Sequence, residues 1–463
     1  MSGKALLPNR KRASWGSYTA FLVAAIGASI GLGNLWKFPY EAGLHGGGTF
    51  LLVYLPAVVL VAFPLMVAEL MIGRLGQSNP IFSTRRLAHE RKLSLLWQSI
   101  GWFALITSLL VFSFYSVVAG WTLYYVMNSL IGAFQDMPAE IVQHSFGALL
   151  RNSEQLVLWH SAFVVLVIVV LAKDIRRGLE AAMRWLMPVF FIGLGWLMWV
   201  VADLGNFSAA LEFMFTVRWE FLSLELFVAA VAQALFSMSI GIGIIMLYGS
   251  YISDHRPLFT TAAIITASDT LIAVGMSLLI FSIVFAFGLR PDSGAGLIFE
   301  TLPVAFAQMH EGSIWISAGF FIFMATAALF SGFALLEPVI AWIRDRWGLS
   351  RRRAAWIAGT LGWLLGLLSI QSLSGESLSF YYFGSERDQG YFDVVNILTT
   401  QLLIPITALV IAAFVGWRLT RAEALDTLNV SAGVRFRIWR LGTRYFAPAT
   451  LIAVILIVLF IPA

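Results

Sequence analysis

An all-α, polytopic membrane protein with about eleven transmembrane helices is the fold class this sequence predicts, and three observations predict it. Hydrophobic residues make up 59% of the chain and charged residues 12%, with a mean hydropathy of +0.84. A soluble chain of this length needs far more polar surface. Apolar runs long enough to cross a bilayer recur from end to end. Two of those runs are interrupted at mid-depth, at Gly27-Ala28-Ser29-Ile30-Gly31-Leu32-Gly33-Asn34 and at Ser237-Met238-Ser239-Ile240-Gly241-Ile242-Gly243. Glycine lowers helix stability by roughly 1 kcal/mol relative to alanine, and backbone freed inside hydrocarbon must find another partner. Such breaks persist where they line a cavity or hold a ligand. Two of them, at matching places in two halves of a chain, are the sequence pointer to a transporter site.

Taken in order, the predicted spans run near 16–43, 49–73, 96–130, 155–172, 184–203, 223–251, 258–289, 312–343, 354–370, 392–417 and 444–462. Loops on alternate sides carry 25 of the 30 basic residues, from Lys4, Arg10, Lys11 and Arg12 through to Arg435, Arg437, Arg440 and Arg444. By the positive-inside rule the N-terminus is cytoplasmic, and an odd span count puts the C-terminus outside. The net charge of +5 therefore reports topology and not nucleic-acid binding. The chain reads as one transporter domain: a cytoplasmic tail at 1–15, a first five-helix unit at 16–203, a second at 223–417 and an eleventh helix at 444–462. Five is odd, so the second unit must be inverted, and a broken helix then opens each half. The outer loops 131–154, 204–222, 290–311 and 371–391 are where short helices or lids are expected, and Gln371 to Gly390 reads as a mobile outer loop.

Several classes of chemistry are excluded. There are no cysteines, so disulfides, thiol nucleophiles and thiolate metal sites are absent. The six histidines, His45, His89, His144, His160, His255 and His310, have no metal-ligand spacing. No nucleotide loop or nucleophile pairing supports an enzyme. The N-terminal Met1 to Trp15 is polar and basic, so no cleavable signal peptide is expected.

The string Gly31-Leu32-Gly33-Asn34-Leu35-Trp36-Lys37-Phe38-Pro39-Tyr40, followed by Gly46-Gly47-Gly48-Thr49-Phe50, resembles the first-span signature of the neurotransmitter:sodium symporter family. Pro64-Leu65-Met66, Glu69 and Gly73-Arg74 agree, as do Ser239 to Gly243 and Glu337-Pro338. The resemblance runs from Arg12 to about Arg444. It implies the LeuT-type fold of five plus five inverted helices, with helices one and six unwound at mid-membrane, in a bacterial inner membrane. It implies symport of sodium with an amino acid by alternating access. Another small zwitterion or osmolyte as cargo, or proton in place of some sodium coupling, stays open.

An unwound helix exposes N–H groups that favour a carboxylate and carbonyls that favour an ammonium or Na⁺. By resemblance, the substrate carboxylate meets the Leu32 and Gly33 amides and the Tyr115 hydroxyl, and the ammonium meets carbonyls at Ala28, Phe236 and Ser239. The side-chain pocket takes Val111, Phe236, Ile242, Ser331 and Leu335, a mainly aliphatic lining in which a charged side chain is left unpartnered. Gly31 stands where monoamine carriers place an aspartate, and Leu32 where carriers of longer backbones place a smaller residue. Together they imply a neutral α-amino acid.

The resemblance assigns the first sodium site to the Ser29 carbonyl, Asn34, Ser237 and Asp269. An ionised carboxylate at mid-span costs roughly 3 kcal/mol on the insertion scale, so it is normally retained for function. Asp269 supplies the negative charge that animal members take from chloride, so no chloride requirement is expected. The second site maps onto Gly27, Ile30, Ala327 and Ser331, but Phe330 occupies the place of a further side-chain oxygen. One or two sodium ions are therefore expected, with the second site weakened. At the outer gate Lys37 and Asn396 replace the usual arginine and acid, with Asp393 one turn away and Gln233 able to bridge. Lysine cannot make arginine's bidentate fork. Arg12, Trp15, Tyr251 and Asp345 match the inner gate. Glu69 either holds the unwound sixth span or serves as a proton relay.

Overall fold

The computed structural model describes residues 15–135, 137–252, 256–291, 296–309, 313–373, 380–382, 385–387 and 390–460. Among the described residues, nine helices are long and apolar enough to cross a membrane unaided, and the bent pair Tyr18–Ser29 and Gly33–Leu44 makes a tenth span. The pair Leu224–Ser237 and Ile244–Gly249 makes another, since neither arm reaches across alone. The remaining spans, in chain order, are Gly48–Gly76, Leu95–Leu130, Ser153–Leu171, Leu179–Leu204, Leu258–Ala286, Ile314–Trp347, Arg351–Leu373, Tyr391–Arg418 and Val434–Phe460. The protein is a multi-pass, helical membrane protein.

The first span starts where Ser17 caps it, its hydroxyl accepting from the Ala20 amide at 3.0 Å. The helix ends at Ser29, because Ile30 turns to extended backbone (φ −81°, ψ 109°). It resumes through a π-type turn at Gly33–Lys37, and the two arms meet at 45°. In the sixth span the break is sharper. Ser239, Gly241 and Gly243 all take left-handed backbone, at φ 55°, 77° and 84°. Glycine takes that conformation without penalty, whereas serine pays about 1–2 kcal/mol for it.

The third and eighth spans form the most extensive helix pair, and the inner arm of the first span packs against the fifth, seventh and eighth. This buries both breaks at the centre of the bundle. The last helix begins at Val434, ten residues before the expected start at Arg444. Arg435, Arg437 and Arg440 depress hydropathy there, yet Phe436 and Trp439 recur at helical spacing and are buried. Short helices occupy three of the four loops expected outside, at Ala139–Leu150, Phe207–Phe215 and Leu297–Ala307. Within the predicted loop Gln371 to Gly390, Phe380–Tyr382 pairs antiparallel with Ser385–Arg387; the residues around this ribbon lie outside those described. Two further helices lie in basic loops, Pro80–Glu90 and Arg421–Leu428. Each carries its start signal, Asn79 before Pro80 in one and a Thr420/Glu423 capping box in the other.

Candidate functional site

Breaking two helices in hydrocarbon frees backbone groups, and polar side chains from neighbouring spans take them up. The Leu32 amide donates to the Tyr115 hydroxyl at 3.4 Å, which itself donates to the Ala328 carbonyl at 3.1 Å. The Ala28 carbonyl accepts from Ser239 at 3.1 Å and from Ser331 at 3.4 Å. The Gln233 side-chain amide donates to the Gly33 carbonyl at 2.8 Å. The Gly241 amide donates to Glu69 at 2.6 Å. Glu69 is fully buried beside the sixth-span break. Gln233 is also fully buried and, through its bond to the Gly33 carbonyl, supports the first-span break.

Five of these residues, Ala28, Gly33, Tyr115, Ser239 and Ser331, line a small cavity of about 20 Å³. Of the residues expected at the substrate, Ala28, Gly33, Val111, Tyr115, Phe236, Ser239, Ile242, Ser331 and Leu335 line it. Gly31 lies just behind: a Cβ there would run into the Ser331 side chain, with the Tyr115 hydroxyl 3.2 Å away. No side chain longer than hydrogen fits at that position without moving Ser331. Leu32 faces a second, larger cavity of about 260 Å³, which also touches Gly33, Tyr115 and Phe236. The Phe236 ring thus stands between the two chambers.

Ser29 and Ser237 both line the small cavity; the Ser29 hydroxyl donates to the Ile26 carbonyl at 2.9 Å, while Ser237 joins a knot of oxygens. The Asn34 amide donates to Asp269 Oδ1 at 2.8 Å and to the Asp269 carbonyl at 3.3 Å. The Ser237 hydroxyl lies 2.5 Å from Asn34 Oδ1 and 2.8 Å from each Asp269 oxygen. One hydroxyl carries one proton and cannot serve three acceptors. Asn34 and Asp269 are completely buried and Ser237 nearly so, so water does not relieve the crowding. Oxygen-rich, proton-poor clusters of this kind suit a hard cation. Tyr54, which the sequence does not single out, is fully buried near Asp269.

On the far side of the first break, the Ser331 hydroxyl lies 3.4 Å from the Ile30 carbonyl. Phe330 is turned away, buried edge-on against Phe190 of the fifth span at 5.8 Å. Ala327 is buried in the same helix, and Gly27 abuts Met183 and Met187. This region offers carbonyls and one hydroxyl but no acid.

The larger cavity holds Lys37, Asp393 and Asn396. Lys37 forms no ion pair with Asp393; its ammonium sits over the Phe236 ring, 4.9 Å from the centroid. At the opposite end Trp15 packs edge-on against Tyr248 at 5.3 Å and Tyr251 at 6.3 Å. Asp345 accepts from Asn79 at 2.9 Å and from its neighbour Arg344 at 3.1 Å. Arg12 lies outside the described residues, as do His255 and His310. Two residues missed in the sequence complete this end. Glu180 accepts from the Gly16 amide at 2.9 Å, and Asn79 combines its cap with the bond to Asp345. The Asn79-Pro80 pair was the one available signal; nothing marked Glu180.

A family profile described as the sodium:neurotransmitter symporter family matches residues 12–148 and 142–462. The chain belongs to that family. It is a sodium-dependent transporter and not an enzyme. Among this symporter's relatives, the sodium-dependent transporter YhdH of Bacillus subtilis is 29% identical, covering 97% of this chain and 98% of that one. A sodium-dependent transporter of Haemophilus influenzae is 26% identical over 98% of this chain and 99% of its own. Among solved structures, MhsT in complex with L-phenylalanine superposes with a TM-score of 0.89 at 33% identity, covering 96% of this chain and 99% of that one. The symporter therefore has the LeuT-type fold.

Proposed function

We propose that this symporter imports a neutral, mainly aliphatic α-amino acid across a bacterial inner membrane, driven by sodium. The observation that carries the reading is the oxygen knot of Asn34, Ser237 and Asp269, which shares Ser237 with the wall of a small apolar chamber. A cation held there sits beside the position where the Leu32 amide and the Tyr115 hydroxyl meet a carboxylate. Substrate and sodium then complete each other's sites, which is the thermodynamic meaning of coupling. Ala28 and Ser239 would receive the ammonium, and Val111, Ile242 and Leu335 the side chain. The capture of L-phenylalanine by MhsT supports an amino acid as the cargo. The lack of space at Gly31 argues against an acidic residue serving a substrate that has no carboxylate.

Asp269 carries the compensating charge, so transport runs without chloride. Sodium at Gly27, Ile30, Ala327 and Ser331 lacks the side-chain oxygen that Phe330 displaces, and coupling rests mainly on the first site. The segments 16–203 and 223–417 act as inverted halves that rock about the two breaks, with the N-terminus cytoplasmic and the C-terminus outside. In proteoliposomes, an inward sodium gradient should drive uptake of one or more of the apolar amino acids, and potassium should not replace it. Uptake of all twenty at background level under a sodium gradient would reject the reading.

A further inference from the structure

The tenth span ends and the eleventh begins at one membrane boundary, where arginines outnumber the acids. Gly416 of the tenth span lies directly against the eleventh, so that a Cβ there would meet the Arg444 Cα at 3.1 Å. Arg440 donates to the carbonyls of Leu419 and Gly416, at 2.9 and 3.5 Å, closing the end of the tenth helix. Its other terminal nitrogen, Nη1, is buried with no partner. So are Thr443 Oγ1 and Arg444 Nε. Residues 440, 443 and 444 follow the i, i+3, i+4 spacing and share one helix face. Arg421 and Arg444 act on Arg440 through their like charges, and no carboxylate does. The nearby acid, Glu423, is taken up by Arg91 at 3.1 Å and by the Thr420 capping box.

Three unmet donors and a surplus of positive charge ask for an anion with several acceptor oxygens. The surface around them says where it comes from. Val434, Ile438, Leu441 and Tyr445 form an exposed apolar stripe on the same helix, the stripe of a helix facing acyl chains. Arg440 and Arg444 are half-buried and Arg421 is exposed, so the cluster reaches the surface beside these covered donors. We propose that Arg421, Arg440, Thr443 and Arg444 form a binding site for the phosphate headgroup of an anionic phospholipid, whose chains lie along the stripe. Basic pockets between spans are a known form of headgroup recognition. The lipid neutralises the arginine cluster and fastens the eleventh helix to the tenth.

The test uses the full-length protein in nanodiscs of phosphatidylcholine, with and without phosphatidylglycerol, and reads the unfolding temperature. Phosphatidylglycerol should raise it in the wild type, and Arg444→Gln and Arg421→Gln should each cut that rise to less than about half. Arg421 is exposed, so its variant reads the site even if Arg444→Gln fails to fold in phosphatidylcholine. The double variant of Arg352→Gln and Arg353→Gln, two exposed arginines in another basic loop, should keep the full rise. Inorganic phosphate added to phosphatidylcholine nanodiscs should give no shift. Equal rises in wild type and both site variants, equal loss in the control variant, or a matching shift with inorganic phosphate would each overturn the lipid assignment.

Discussion

Asp269→Asn isolates the charge at the proposed sodium site. Asparagine keeps the size of aspartate and one carbonyl oxygen, so the bonds to Asn34 and Ser237 can re-form while the formal charge goes. Asp269 is fully buried, and no other acid adjoins the knot of oxygens as a direct partner among the described residues. Two unit charges about 4 Å apart attract by about 4 kcal/mol at an effective dielectric near 20. If the retained amide oxygen returns between none and half of that, the loss is about 2–4 kcal/mol, or roughly 30- to 1,000-fold in sodium affinity. The assay is a sodium titration of radiolabelled substrate binding in detergent, run in chloride and again in gluconate. Wild type should give the same curve in both salts. The variant should shift to higher sodium, and chloride should recover part of the loss. A variant curve within about threefold of wild type in both salts would show that the carboxylate does not face the ion.

Phe330→Thr puts a hydroxyl back where the second site lacks one; it should steepen sodium dependence, which in wild type should show a Hill coefficient near one, and a clearly cooperative wild-type curve would sink that account. Tyr115→Phe removes the hydroxyl bonded to the Leu32 amide and the Ala328 carbonyl, and should weaken substrate binding by about 1–3 kcal/mol; unchanged affinity in equilibrium binding would remove Tyr115 from the carboxylate. Arg351→Gln strips a buried, two-pronged partner from Glu337, at 2.7 and 2.5 Å, and should cost about 3–5 kcal/mol of stability. Adding Glu337→Leu should restore much of it, and a double variant no more heat-resistant than the single one would contradict the charge-burial argument.

What the sequence disclosed depended on how unusual a residue is for its place. Glycines in mid-span, Glu69 and Asp269 stood out because hydrocarbon penalises broken helices and charges. Tyr115 and Ser237 needed the family resemblance, since a hydroxyl in a helix is ordinary. Tyr54 and Glu180 had no such help: one reads as core, the other as part of a basic loop. The bond from Gln233 to the Gly33 carbonyl was not legible, because a sequence does not say towards which break a side chain turns. The ion pair of Glu337 with Arg351 was hidden differently. One residue was read as a motif and the other as a topology signal, and only the turn between their helices joins them. The early start of the eleventh helix was masked by Arg435, Arg437 and Arg440, and the last of these also belongs to the proposed lipid site.

Of the three residues that line both chambers, Gly33, Tyr115 and Phe236, the Phe236 ring lies under the Lys37 ammonium. In the transport reading, cargo returning to the outer chamber must first swing Phe236 aside and so part it from the cation. An ammonium over an aromatic face is worth about 0.5–2 kcal/mol, which lengthens the closed lifetime by roughly two- to thirtyfold. Dwell time inside then becomes partly a property of the door and not only of the grip on the cargo. A residue that touches no part of the amino acid sets how long the molecule waits for its sodium.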